Sequence, residues 1–229
     1  MKEYNKLTAF KYDILRSGHP LERKFEIIKN FMNGIKAEKI ELVGEIGCGS
    51  GRLSYLLANC FKNYKIKSFE LNRGFVEYAQ EKFKSPNLSF QFLDIEKSKL
   101  PEKLDVLITI DLLHHLKDIK PSIANIQSSL KKGGKWIVIE PNIYNIYIFL
   151  FQLLSKNEKL FYQIETEKEL SKNFAILNKK YCFFIPFWLK NPPKWLKNLE
   201  IRLENKKFIG GSVVYFLKNY LTSSKQATA

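Results

Sequence analysis

An α/β fold built on a mostly parallel sheet is the architecture this sequence predicts, and three observations carry it. Short aliphatic runs alternate with segments of helical rhythm from residue 21 to residue 142, the connections between them are brief, and the first run ends in the glycine turn GCGSG. Right-handed crossovers between parallel strands lay the helices on both faces of such a sheet.

Each element has its own justification. Phe25, Ile27, Ile28 and Phe31 give residues 21–35 a single buried helical face. Ile40 to Ile46 is an aliphatic strand that stops at the glycines, and helical rhythm resumes from Leu53 to Ala58. Tyr64 to Glu70 alternates as a strand, Arg73 to Phe83 reads as a helix, and Leu88 to Leu93 as a third strand. Leu104 to Ile110 is almost wholly aliphatic, as a strand covered on both faces should be. Pro121 suits the first turn of a helix through Leu130, which the KKGG of Lys131 to Gly134 should stop before the strand KWIVIEP. Beyond Pro141 the expected pattern is a helix over Tyr144 to Leu153, another from Glu165 to Ala175, a third from Lys194 to Glu204, and a last strand from Ser212 to Lys218.

Composition narrows the class. The 229 residues are 45% hydrophobic with Phe 18 and Tyr 11, enough for one domain with a normal core and incompatible with a disordered or collagen-like chain. Cys48, Cys60 and Cys182 are scattered and odd in number, which excludes a disulfide framework and a four-thiolate zinc site. Thirty-eight Lys and Arg against 23 Asp and Glu give +15, and Lys179 to Ala229 alone holds ten basic and two acidic residues. Such a balance suits nucleic acid, an anionic membrane or an acidic substrate, and it is equally what biased composition produces. The opening residues lack the apolar core of a secretory signal, and the apolar stretch Ile143 to Leu154 is short of the ~20 residues that span a bilayer. A cytoplasmic protein, with peripheral contact to an anionic membrane as an option, is the expectation.

The chemistry concentrates in residues 41–53, ELVGEIGCGSGRL. Gly47, Gly49 and Gly51 form GxGxG, distinct from the GxGxxG of dinucleotide sites, and lie between a strand and a helix. Glu45, Glu70 and Asp94 each fall at or just past the carboxyl end of an expected strand, where an open α/β sheet binds its ligand. Glu70, 19 residues beyond Gly51, is placed for a ribose diol, and Asp94 for an adenine amine. Glu45 would repel a pyrophosphate and attract an ammonium group. The pocket calls for a ligand with adenine, ribose and a cationic amino-acid end, which argues against a nicotinamide-dependent oxidoreductase.

With these residues in view, the chain resembles the class I S-adenosylmethionine-dependent methyltransferases. EIGCGSG (45–51) looks like their first motif, LDI (93–95) like the adenine-reading segment, and ITIDLLHHLKD (108–118) and LKKGGKWIVIEPN (130–142) like the fourth- and fifth-strand motifs, with Lys132 where the family usually has proline. The resemblance implies a Rossmann-like sheet of seven strands, the last antiparallel, with S-adenosyl-L-methionine as cofactor and no metal. It further implies that Gly47, Cys48, Gly49 and Gly51 line the methionine and ribose, that Glu45 helps orient the methionine end, and that Leu71 packs on the adenine. Ile95 would contribute its backbone amide, and Asp111 would sit at the end of the fourth strand.

Methyl transfer from a sulfonium needs alignment above all, with a base optional. His115 and then His114 are the candidate bases; as neighbours on an extended segment they are expected to point apart. Residues 1–38 are expected to form a helical cap, 39–220 the methyltransferase domain with 143–210 a substrate-side elaboration, and 221–229 a flexible tail. The aromatic residues Tyr144, Tyr147, Phe149, Phe151, Phe161, Tyr162, Phe183, Phe184, Phe187, Trp188 and Trp195 either fill the core or cover an acceptor site. A small, apolar, aromatic or lipid-like acceptor is the leading expectation. An RNA or protein acceptor, or a non-catalytic scaffold, is the alternative, and nucleic acid is disfavoured by IDLL standing where NPPY would be.

Overall fold

The computed structural model describes residues 5–35, 39–154, 161–182, 185 and 189–220. Seven strands form one sheet: β1 (Leu42–Ile46), β2 (Lys65–Glu70), β3 (Leu88–Phe92), β4 (Leu104–Ile110), β5 (Leu130–Pro141), β6 (Phe174–Cys182) and β7 (Ser212–Asn219), in the order β3-β2-β1-β4-β5-β7-β6. All neighbours from β3 to β5 pair in parallel, and β7 runs antiparallel between β5 and β6. The sheet order reverses between β2 and β4 around β1, which opens a crevice at the carboxyl end of β1.

Period-two alternation divides the core. Leu107, Trp136, Val138, Tyr215 and Leu217 face one layer, packed on Phe161, Leu170 and Phe174. Val106, Ile108, Ile137, Ile139, Val214 and Phe216 face the other, against Ile28, Met32 and Leu57. Neighbours in sequence thus enter opposite layers, which is why the central strands are apolar throughout.

The helices are α1 (Lys6–Arg16), α2 (His19–Gly34), α3 (Arg52–Cys60), α4 (Arg73–Lys82), α5 (Ile119–Ser128), α6 (Ile146–Leu154), α7 (Gln163–Asn173) and α8 (Lys194–Arg202). Four are capped by side chains at their first turn: Asn5 accepts from the amide of Thr8, Asn72 from Gly74, Asp118 from Lys120, and Asn145 from Tyr147 and Ile148.

Two expectations are corrected. Helix α5 ends at Ser128, before KKGG, and β5 already begins at Leu130. The glycine pair is an irregularity inside the strand: Leu104 pairs with Leu130 and Val106 with Lys135, so the extra residues bulge out while Gly133 takes a φ of +76°. In addition, the helix expected to run to Ala175 stops at Asn173, and residues 174–182 form the edge strand β6. Within residues 1–38 the helical rhythm of the sequence marks α2 and leaves α1 unmarked. Phe183, Phe184, Phe187, Trp188 and the tail 221–229 lie outside the described residues.

Candidate active site

The crevice starts where β1 runs out. Gly47, Gly49 and Gly51 have φ of +74°, +54° and +84°, so the chain reverses through conformations that side chains resist. At Gly51 a Cβ would stand 2.6 Å from Phe90 and 2.9 Å from the Ala79 methyl, and there the turn meets α4 and β3. The amides of Gly47 and Cys48 donate to the Phe69 carbonyl at 2.8 and 3.2 Å, tying the turn to β2.

Glu70 closes β2 beside this turn. One carboxylate oxygen accepts from the Gly49 amide at 2.9 Å and the other from the Asn72 amide at 3.0 Å, with Leu71 between them. Burial nonetheless raises its pKa above the ordinary carboxylate value, against the pull of those amides. Glu45 is 3% exposed and receives the Ser54 hydroxyl of α3. Burial pushes it up to about 7, helped by the nearby Glu70 and opposed by the Ser54 bond and by Lys24. Burial first, then the same two carboxylates, drive the Cys48 thiol well above its ordinary value, so it is no nucleophile.

Past β3, one Asp94 oxygen accepts from the Glu96 amide at 3.1 Å and the other lies 3.3 Å from the Lys97 ammonium. Ile95 is buried, and its carbonyl accepts from Asn125 of α5 at 2.9 Å. Asp111, just past β4, has a positive φ of 50°. Burial alone would raise its pKa, yet Lys24 at 2.8 Å and Arg16 at 3.6 Å outweigh that and hold it well below the carboxylate range.

The two histidines occupy a 3-10 turn, Leu113–His115. The expectation that they point apart fails because that turn is not extended: their ring centroids lie 4.0 Å from each other. His114 is buried and His115 exposed. Glu140, wholly buried at the end of β5, organises the turn by accepting from the amides of Leu112 and Leu113 at 2.9 and 2.7 Å, with His114 Nδ1 at 2.7 Å from its other oxygen.

Sequence reasoning passed over Glu140, Ser54 and the contacts of α1. Asp13 of α1 is 2% exposed and accepts from Ser50 of the glycine turn at 3.0 Å, from Arg52 at 2.6 and 2.5 Å, and from the Tyr78 hydroxyl at 3.0 Å. Tyr12 lies 3.1 Å from where a Cβ on Gly49 would be. A carboxylate burying itself across 37 residues of sequence has no local signature; the burial of an acid within a helix full of exposed apolar residues becomes visible only when its partners are in place. Among the described residues no group of His, Cys, Asp and Glu could hold a metal ion.

The residues present fit S-adenosylmethionine. A turn kept free of Cβ atoms, a carboxylate beside it at the end of β2 and a second at the end of β3 offer, in order, close backbone approach and acceptors for a diol and an amine.

The family model described as a methyltransferase domain matches residues 41–206. A malonyl-[acyl-carrier protein] O-methyltransferase of Ilyobacter polytropus is 31% identical over 163 residues, covering 68% of this chain and 60% of that protein. A putative methyltransferase of Invertebrate iridescent virus 6 is 24% identical over 58% of this chain and 51% of its own length. The chain therefore spans about half to three fifths of these curated relatives. Among solved structures, the N-methyltransferase NodS from Bradyrhizobium japonicum WM9, in complex with S-adenosyl-L-homocysteine, superposes with a TM-score of 0.61 at 14% identity, covering 88% of each chain. Magnesium protoporphyrin IX methyltransferase from Synechocystis PCC 6803, also with S-adenosyl-L-homocysteine bound, gives a TM-score of 0.61 at 16% identity over 86% of this chain and 82% of its own. Glycine turn, sheet order and family match converge: the chain belongs to the class I S-adenosylmethionine-dependent methyltransferases.

Proposed function

We propose that this chain moves the methyl group of S-adenosylmethionine to a small, apolar acceptor, aromatic or lipid-like in character. The observation that carries the acceptor class is the surface beyond β4 and β5. Leu112, Leu116 and Ile143 pack at the carboxyl edge on the same core as Phe161, with the histidine turn as the polar feature among them. An apolar wall with few polar groups orients a small apolar molecule.

The cofactor supplies the electrophilic methyl, and what falls to the protein is holding and aligning. In this reading Gly47, Cys48, Gly49 and Gly51 line the methionine and ribose, Glu70 takes the ribose diol, Leu71 packs on the adenine, Ile95 contributes its backbone amide to that ring, and Asp94 receives its amine. Glu45 lies beneath the amino-acid end with Ser54. Asp111 is already neutralised by Lys24 and Arg16, so its part is to fix α1 and α2 against the end of β4. Residues 1–38 serve as the cap of the site and 39–220 as the catalytic domain. His115, exposed on its turn, takes the proton of an acceptor that needs to lose one. His114, its Nδ1 directed at Glu140, supports that ring from below.

A second reading has a specific basis. Relatives named for malonyl-[acyl-carrier protein] O-methylation, together with the +15 charge, favour a carboxyl group delivered on an acyl carrier. Methyl-labelled cofactor incubated with the protein and a fractionated cell extract separates the cases. Label in the organic-soluble small-molecule fraction is expected; label confined to RNA or protein overturns the free small-molecule acceptor, and label on protein released by thioester cleavage selects the carrier. With the acceptor in hand, His115→Gln should cut turnover about 100-fold or more with cofactor affinity unchanged.

A further inference from the structure

Helix α6 is built from IYIFLFQLL, with no charge in nine residues, yet only Gln152 is buried. Ile146 is 68% exposed, Leu150 44% and Leu154 79%. The face continues into residues 208 and 209: Phe208 is 70% exposed and Ile209 47%, and they are locked to the start of α6 by Asn145 donating to the Ile209 carbonyl and by the Tyr144–Phe208 ring contact. Contiguous apolar surface of this kind is unusual on a protein that meets only water.

Along the two segments that carry this face the charges have one sign. Residues 141–154 and 205–211 contain two charged side chains, Lys206 and Lys207, both exposed; the Lys207 ammonium sits 3.7 Å above the Tyr144 ring. Helix α1, on the same carboxyl edge of the sheet, repeats the pattern. Its one acid, Asp13, is buried, while Leu7, Phe10, Ile14 and Leu15 are 45–64% exposed alongside Lys11. Apolar side chains flanked by lysine are what an anionic lipid surface accommodates, the chains entering the acyl boundary and the ammonium groups meeting phosphate. No helix among the described residues is long and apolar enough to cross a membrane, so the contact would be interfacial.

We propose that the α6 face, with Phe208, Ile209 and the Lys206–Lys207 pair, docks this protein on an anionic lipid bilayer. Helix α6 starts six residues after Glu140, so docking would place the carboxyl edge of the sheet at the lipid surface. This rests on nothing in the choice of acceptor, though it would bring a lipid-like acceptor to the edge where the histidine turn stands.

The test is flotation of the full chain with phosphatidylcholine vesicles prepared with and without phosphatidylglycerol, over a salt series. Binding should require phosphatidylglycerol and weaken with salt. Ile146→Ser/Leu150→Ser, altering exposed side chains one turn apart, should lower it roughly tenfold. Lys206→Gln/Lys207→Gln should lower it roughly 20–30-fold. Cofactor affinity by calorimetry should be the same in all three proteins, which keeps this outcome separate from the methyltransfer reading. Indifference of the native chain to phosphatidylglycerol, or equal binding by both variants and the native chain, overturns the proposal. So does a concentration-dependent dimer abolished by Ile146→Ser/Leu150→Ser with no vesicle binding, since the face would then belong to a second copy of the chain.

Discussion

The carboxyl edge of the sheet has two halves that treat their polar and apolar groups in opposite ways. Beyond β1, β2 and β3 every acid has a short-range answer: Glu45 has Ser54, Glu70 has the amides of Gly49 and Asn72, and Asp94 has the amide of Glu96. Beyond β5 the chain leaves aliphatic and aromatic side chains in the open on α6 and after α8. The first half is held rigidly, its backbone bent through three left-handed glycines and tied to β2. The second is the surface for which a lipid partner is proposed above. Polar groups answered within the fold fix a geometry, whereas apolar groups left in water mark a surface by their exposure alone.

The sharpest way to break this contrast is to deny the first half its geometry. Gly51 combines a φ of +84° with neighbours at 2.6 and 2.9 Å from any added Cβ, both on elements that hold the crevice. Gly51→Val should cost about 3–4 kcal/mol of stability, from strain and overpacking together, and lower cofactor affinity at least about 100-fold. Gly34, with nothing within 4 Å, is the control. Gly34→Ala should leave cofactor binding alone and change stability by less than about 1 kcal/mol. Thermal unfolding and calorimetry read both. A Gly51→Val protein that binds the cofactor normally would remove the turn from the site.

That asymmetry also accounts for what the sequence makes legible. Strands β1 to β5 and β7 are readable because period-two alternation and aliphatic runs record burial directly. GCGSG is readable because three glycines in five residues, directly after an aliphatic strand, mark a turn that side chains would block. The acids at 45, 70 and 94 follow from their register at strand ends. Helix α1 is opaque for a physical reason: its buried side is Ala9 and Asp13 and its apolar side faces out, so amphipathic reasoning has nothing to grip. The histidine turn misleads because Glu140, 26 residues downstream of His114, holds the amides of Leu112 and Leu113 at the start of a 3-10 turn that the local sequence does not specify. KKGG misleads because a glycine pair serves a bulge in a strand as well as it ends a helix.

The second prediction contrasts two acids in the same crevice, Glu45 buried and Asp111 half-buried. Glu45 titrates at about 7 in the folded protein against 4.5 for the free side chain. Between those values the unfolded chain has released a proton that the folded one retains. The stability contributed is full below pH 4.5 and is lost as pH rises to about 7, a fall of about 3 kcal/mol. Asp111 has the reverse sign, its folded value being depressed, so its contribution is present above the ordinary carboxylate range and fades as the solution becomes strongly acidic. Urea unfolding across pH should show Glu45→Gln flattening the decline between 4.5 and 7 while leaving the acid limb untouched. An unchanged profile would mean that the decline comes from another group.

The smallest effect expected is at the seam where α1 meets the glycine turn, and it tests whether the rigidly held half extends to the N-terminal cap. Asp13 is the single point at which α1 engages Ser50, Arg52 and Tyr78 together. Removing one partner of a buried ion pair can cost about 3–5 kcal/mol, but Arg52 keeps 35% of its side chain in water and can rehydrate, so Asp13→Ala should cost about 2 kcal/mol. The loss should be local. The other contacts of α1 are the Tyr12 ring against Phe75 at 5.3 Å, buried Ala9, Lys190 donating to the Ile14 carbonyl at 2.8 Å, and the half-exposed ion pairs of Arg16 with Asp111 and of Lys6 with Glu77 and Glu81, which contribute little in water. Hydrogen exchange should therefore quicken at least about tenfold in residues 6–16 of Asp13→Ala while the amides of β1, β4 and β5 keep their protection. If exchange rises equally in helix and sheet, α1 is part of the folding core and not a separable cover on the crevice. If neither changes, the bonds to Asp13 are dispensable and the helix is held by its apolar contacts with α4.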